Sequence, residues 1–200
     1  MSQIRHGRRI IVGISGASGA IFGVRLLELL QNFRVETHLV LSKWGARTLL
    51  HETSYTLEQV KALASVCYQR GDQGAAISSG SYLTDGMIIA PCSMKTVAAV
   101  ATGVGDSLLS RAADVVLKER RKLVLLAREA PLSEVHLENM LKLARMGAVI
   151  IPPVPAFYSR PASLEEMVDH IVQRVLDQFG LHLDLMPRWS GEMGGPGSDD

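Results

Sequence analysis

The chain has 200 residues, of which 47% are hydrophobic and 20% charged, with a formal net charge of +1 at pH 7. A chain of that size and balance buries a core of its own as one globular domain, and the near-neutral charge with no basic run argues against a nucleic-acid footprint. No apolar run reaches the roughly 18 residues of a membrane span, and no signal-peptide pattern precedes the first strand. The two cysteines, Cys67 and Cys92, are too few for a disulfide framework and lack zinc-ligand spacing, which places the protein in a reduced, cytoplasmic setting.

In chain order, an apolar strand from Arg9 runs into Gly13, Ser15, Gly16, Ala17, Ser18 and Gly19 and then into an amphipathic helix over 20–31. The pattern continues with a strand over 35–41, a helix over 43–51, a helical stretch over 56–65 and a polar, glycine-bearing stretch over 66–84. A third strand over 86–90 breaks at Pro91 and gives way to a helical stretch from Ser93, then a helix over 106–120, a strand over 122–126, a helix over 133–146, a strand over 148–151 and a last helix over 163–179. Alternation of this kind, with continuous apolar strands, predicts an α/β fold in which helices cover both faces of a parallel sheet. The expected organisation is a single domain over 1–185 followed by a tail over 186–200, whose residues 191–200 are of low complexity.

Ligands of such sheets lie outside the carboxyl ends of the strands. The first of those ends has the composition of a phosphate cradle, because glycines let the backbone turn and a following helix aims free N–H groups and a partial positive charge at an anion. Its spacing, Gly13-x-x-Gly16-x-x-Gly19, puts Ser15 where a dinucleotide fingerprint has its second glycine, and the second strand ends in Ser42-Lys43 rather than in an acid for a ribose. No Gly-Lys-Ser/Thr follows, so a Walker loop is excluded as well. A tight turn without a ligand remains the structural alternative. The segment Pro91-Cys-Ser-Met-Lys-Thr96 repeats the same physics, with Ser93 serving equally well as an ordinary helix cap. The six histidines share no ligand spacing, and no metal site is expected.

Taken together these segments make the chain identifiable as a relative. Gly-Ile-Ser-Gly-Ala-Ser-Gly-Ala at 13–20, Glu-Thr-His-Leu-Val-Leu-Ser-Lys at 36–43, Pro-Cys-Ser-Met-Lys-Thr at 91–96, Arg-Ala-Ala-Asp-Val-Val-Leu-Lys-Glu-Arg-Arg at 111–121, Arg-Glu-Ala-Pro-Leu at 128–132 and Pro-Ala-Phe-Tyr at 155–158 resemble the UbiX flavin prenyltransferases. The resemblance extends over nearly the whole chain. It implies a Rossmann-like flavoprotein fold, a homododecamer built from trimers, and a prenyl transfer that needs no metal. In the implied reaction a dimethylallyl group passes from dimethylallyl phosphate to N5 and then C6 of reduced FMN, and the prenylated FMN serves a UbiD-type decarboxylase.

By the same resemblance Ser15, Gly16, Ala17, Ser18, Ser42, Ser93, Met94, Lys95, Thr96 and Arg128 contact FMN, with Ser18 near its reactive edge and Arg128 at a buried strand end. Arg111, Lys118, Tyr158 and Arg174 hold the prenyl phosphate, Lys118 also acting on the leaving group. Glu129 handles a proton during ring closure, and Trp189 approaches the allylic cation with its π face. Glu52 matches a further acid of the family but reads more simply as a helix-terminal carboxylate. Because Arg111, Lys118 and Arg174 sit on helices that do not obviously converge, the active sites are expected at subunit interfaces.

Overall fold

The computed structural model describes residues 7–191 of the chain, which divide into two compact units on either side of the Pro153–Val154 bond. The first unit is built on a six-stranded parallel sheet. In sequence order its elements are β1 (Arg9–Ile14), α1 (Ala20–Asn32), β2 (Glu36–Leu41), α2 (Lys43–Glu52), α3 (Leu57–Ala62), β3 (Val66–Tyr68), β4 (Gly86–Cys92), α4 (Met94–Thr102), α5 (Leu108–Lys118), β5 (Lys122–Ala127), α6 (Glu134–Arg145) and β6 (Val149–Ile150). The strands lie in the order β3-β2-β1-β4-β5-β6, every pairing parallel.

That order follows from burial. Along β1 and β4 successive side chains point to opposite faces, and both sets are buried: Ile11, Met87 and Ile89 pack in one cluster with Leu109, Ala112 and Val116 of α5. Ile10, Val12 and Ile88, on the other face, are just as inaccessible. The expected parallel sheet with helices on both faces is therefore what the chain forms. From β1 the chain winds outward to β2 in one direction and to β4 in the other, so the carboxyl ends of β1 and β4 open a crevice at the switch of direction.

Two boundaries differ from the sequence expectation. β4 does not stop at Ala90 but continues to Cys92 through a cis Ala90–Pro91 bond, and its register with β5 shifts between Ile89 and Cys92, so that the proline's missing N–H costs the ladder nothing. The stretch over 66–84 contains an edge strand, β3, which has only three residues and two of them exposed. The helical stretch expected from Ser93 is α4, ended by Gly103 in the left-handed conformation at φ 73°.

The second unit is organised on α7 (Leu164–Asp177), capped at its start by Ser163, whose side chain accepts from the Glu166 amide. The buried Gln173 side chain accepts from the amides of Leu185 and Met186 and donates to the Met186 carbonyl, fastening the chain after the helix to its inner face. Asp177 receives both Nη atoms of Arg188 at 2.8 and 2.9 Å, and that fork, with His182, holds its carboxyl down at about 2 despite partial burial. The part of the expected tail over 192–200 lies outside the described residues.

Candidate active site

The crevice is bounded by three strand-to-helix turns. Ser15, at the end of β1 and 1% exposed, donates from its hydroxyl to the Pro91 carbonyl (2.9 Å) and accepts from the Ser93 amide (2.7 Å). The Ser15 amide bonds the same carbonyl at 3.1 Å. One buried side chain thus ties the first loop to the third. Ser42 begins α2 by accepting from the Gly45 amide (2.8 Å), and Ser93 begins α4 by accepting from the Thr96 amide (3.4 Å) with the Thr96 hydroxyl at 3.1 Å.

A cavity of about 290 Å³ opens between these turns, lined by Gly16, Ser42, Lys43, Trp44, Ser93, Lys95, Thr96, Ala99, Asp106, Ser107, Leu109 and Ser110. A capping serine uses a lone pair toward its helix, so its hydroxyl proton stays available to a ligand oxygen. Capping and ligand binding are compatible at both Ser42 and Ser93. Lys95 meets Asp106 at 3.6 Å across the mouth with both side chains substantially exposed, a pairing weak enough for an anion to displace.

The anion that the first loop attracts is the protein's own. Gly19 enters α1 with φ 100°, a conformation that favours glycine, and offers no side-chain cap. The Glu52 carboxylate, from the last turn of α2, accepts instead from the amides of Gly19 (2.8 Å) and Ala20 (3.1 Å). Burial pushes the Glu52 carboxyl up, but the Ser18 hydroxyl, those two amides and the positive charge of Arg128 outweigh it and hold the group below its ordinary value. The phosphate-cradle reading of that helix start is accordingly revised: its amides are already satisfied, and hydroxyl and lysine donors for a ligand are concentrated at the starts of α2 and α4.

The structure sorts the remaining sequence candidates. Gly16, Ser42, Ser93, Lys95 and Thr96 line the cavity, while the exposed Ser18 stands beside Glu52 and Arg128. Ser15 is used in tying the loops together, and the Met94 side chain lies in the hydrophobic core and Ala17 is buried. Arg128 follows β5, its amide bonded to the Cys92 carbonyl at 3.1 Å, but it is exposed rather than at a buried end. Glu129 is exposed too, its carboxylate accepting from the Ala130 amide at 3.0 Å.

Arg111 and Lys118 are not brought to this cavity. The Arg111 guanidinium turns to the Ser78 carbonyl (3.3 Å) and Asp114 (2.8 Å), and Lys118 lies about two turns further along α5, paired with Glu119 beside Gly80. There α5 gives way to the start of β5, the opposite edge of the sheet from the crevice. In the second unit, the Tyr158 hydroxyl meets His170 Nε2 at 3.1 Å, and its ring meets Trp189 edge-on at 5.5 Å. Arg174 reaches Asp177 at 3.6 Å.

Sequence reasoning missed Lys43, Trp44, Asp106, Ser107 and Ser110 as cavity walls. Their one sequence signal is position in or just before the first turn of a helix. Among the described residues no group of three His, Cys, Asp or Glu side chains could hold a metal ion, and no helix is long and apolar enough to cross a membrane.

Comparison with known proteins places this architecture. Residues 2–176 match the Flavoprotein family. The chain is 63% identical over 183 residues to a probable UbiX-like flavin prenyltransferase of Bacillus subtilis, covering 92% of this chain and 90% of the relative. It superposes with TM-score 0.93 and 52% identity on AnUbiX, crystallised with FMN and dimethylallyl pyrophosphate, covering 94% of this chain and all of that one. A dodecameric FMN-dependent UbiX-like decarboxylase from Escherichia coli O157:H7 superposes with TM-score 0.90 and 55% identity, covering 92% of this chain and 100% of that one.

Proposed function

We propose that this chain, which belongs to the Flavoprotein family and within it to the UbiX-like flavin prenyltransferases, transfers a dimethylallyl group from dimethylallyl phosphate to N5 and C6 of reduced FMN. The observation that carries the reading is the cavity at the switch point, where the hydroxyls of Ser42, Ser93 and Thr96 and the ammonium groups of Lys43 and Lys95 face an apolar wall of Ala99 and Leu109. That donor set fits FMN, with cations and hydroxyls for a phosphate and ribityl chain and an apolar surface for a flat ring.

Reduced FMN supplies the nucleophilic N5 and C6, and the protein supplies position and charge. Ser42, Ser93, Lys95 and Thr96 hold the phosphate and ribityl chain by donating to them, and Gly16, Ala17, Ser18 and Arg128 border the ring. Ser15 and Met94 support this set from behind, the first by hydrogen bonds between loops and the second by packing. The departing phosphate gathers negative charge that fixed cations meet at its oxygens. Arg111, Lys118, Arg174 and the hydroxyl of Tyr158 fill that role, Arg111 and Arg174 offering a bidentate fork. The Trp189 ring faces the allylic carbons, where developing positive charge is attracted by a π system. Glu129 takes the proton that ring closure releases.

Arg111 and Lys118 lie away from the cavity of their own chain, so the complete site draws them from neighbouring copies, in keeping with a homododecamer. The region 1–185 acts as one FMN-binding domain with the residues beyond it as a tail. The setting is cytoplasmic, supported by two unbridged cysteines, and the prenylated FMN passes to a UbiD-type decarboxylase.

The test is anaerobic incubation with reduced FMN and dimethylallyl phosphate, the diphosphate run in parallel, followed by mass spectrometry of the flavin. Gain of one C5H8 unit, undiminished after exhaustive chelation with EDTA, is expected. An unchanged flavin, or turnover restored only by magnesium, overturns the assignment, as does tighter binding of NAD than of FMN by titration.

A further inference from the structure

Trp44 is 62% exposed, although a side chain with so much apolar surface is ordinarily covered. Its root is fixed from two sides. A side chain on Gly16 would collide with the Trp44 Cβ, so the first loop lies directly against it, and a side chain on Gly45 would strike the backbone of Ile14 and Ser15. α2 therefore starts hard against the end of β1, and the indole leaves that contact as a wall of the cavity next to Ser42. One turn along, the Arg47 guanidinium carbon stands 5.0 Å from the ring centroid, which steadies the ring by cation–π attraction. A large aromatic surface is thus held at the mouth of the cavity with its root immobilised and most of its area uncovered.

We infer that Trp44 is a flavin-binding residue that selects for the ring: its indole stacks against the isoalloxazine of FMN, adding an aromatic face to a ring subsite otherwise made of small, aliphatic and charged residues. The inference rests on the proposed occupation of this cavity by FMN. Offset stacking of two aromatic systems contributes about a three- to tenfold gain in affinity, and it acts on the ring alone.

The experiment compares the full-length protein with Trp44→Ala and Trp44→Phe, measuring FMN dissociation constants by calorimetry. Ribose 5-phosphate, which carries the phosphate and lacks the ring, serves as competitor. Expected is an FMN affinity about three- to tenfold weaker in Trp44→Ala and mostly restored in Trp44→Phe, with the competitor's constant unchanged in all three. In a Trp189→Phe background, where Trp44 is the remaining tryptophan, FMN should quench the emission. FMN affinity in Trp44→Ala equal to the parent overturns the inference while leaving the function intact. So does a loss of competitor binding to the same extent, or a smaller particle by light scattering, which would assign Trp44 to contact between copies. Failure of the parent protein to bind FMN at all sinks the function itself.

Discussion

The two edges of the sheet in the first unit treat polar residues in opposite ways. At the amino-terminal edge Arg9 pairs with Glu36 at 2.9 Å and stands over the Tyr82 ring, while the buried His38 is held by the Tyr68 hydroxyl on Nδ1 and Glu36 on Nε2, each at 2.9 Å. Arg9 Nε is the one buried side-chain donor without a hydrogen-bond partner among the described residues, while both Nη atoms of Arg9 and both ring nitrogens of His38 have partners in the protein. At the carboxyl edge the Ser42 hydroxyl proton and one of the two shared by Ser93 and Thr96 are uncommitted, Lys43 and Lys95 are exposed, and Trp44 is largely uncovered. The first cluster spends its hydrogen bonds on the sheet; the second leaves capacity open to a ligand. A concentration of polar residues marks a binding site when its hydrogen-bonding capacity is left open, not when it is merely dense.

The hardest test of that contrast removes cations that belong to neither cluster. Lys118→Ala and Arg111→Ala are expected to lower prenyl transfer by about two orders of magnitude or more, in line with removal of a group that stabilises transition-state charge, while the FMN dissociation constant stays within about twofold. Loss of FMN binding with the fold intact would show that the division between the two phosphates is wrong. Next in size is Ser15→Ala, which strands the Ser93 amide and a Pro91 carbonyl lone pair in a buried place. A loss of about 1–3 kcal/mol in urea unfolding is expected, and a neutral result would mean that the loops are held together by something else.

A smaller effect, about 1 kcal/mol, is expected for Glu52→Ala, which leaves the first amides of α1 without their carboxylate. The smallest concerns pH. Burial depresses the His38 pKa, against the opposing pull of Glu36, so the unfolded chain binds a proton more readily than the folded one. This contribution is present above the unfolded value near 6.5 and is lost as pH falls through it. The urea midpoint should decline between about pH 8 and about pH 5.5, and less steeply in His38→Gln. His170, also lowered by burial, accounts for part of the residual slope; equal slopes in the two proteins would remove His38 from the account.

Much of the fold could be read in the residues themselves. Continuous apolar strands with small residues after them located β1 and the crevice, and the hydroxyls at Ser42 and Ser93 sat where the argument from strand ends required. β3 escaped notice because three half-exposed residues carry no apolar run, and β4 was ended early because a proline is ordinarily a strand breaker. The role of Glu52 was illegible for a different reason: it caps a helix that begins 32 residues earlier in the chain, and no local pattern announces such a contact. Trp44 was passed over because a lone aromatic in a helix's first turn reads as core until its exposure is known.

The outer strands of the sheet, β3 with three residues and β6 with two, have a consequence for how copies of this chain meet at high concentration. A long bare strand edge is a template for further strands and leads to open-ended aggregation. Here each rim offers too few backbone groups to seed a continuing ladder, so growth by sheet extension is blocked at both sides. Self-association is left to side-chain surfaces, which can close into a finite particle.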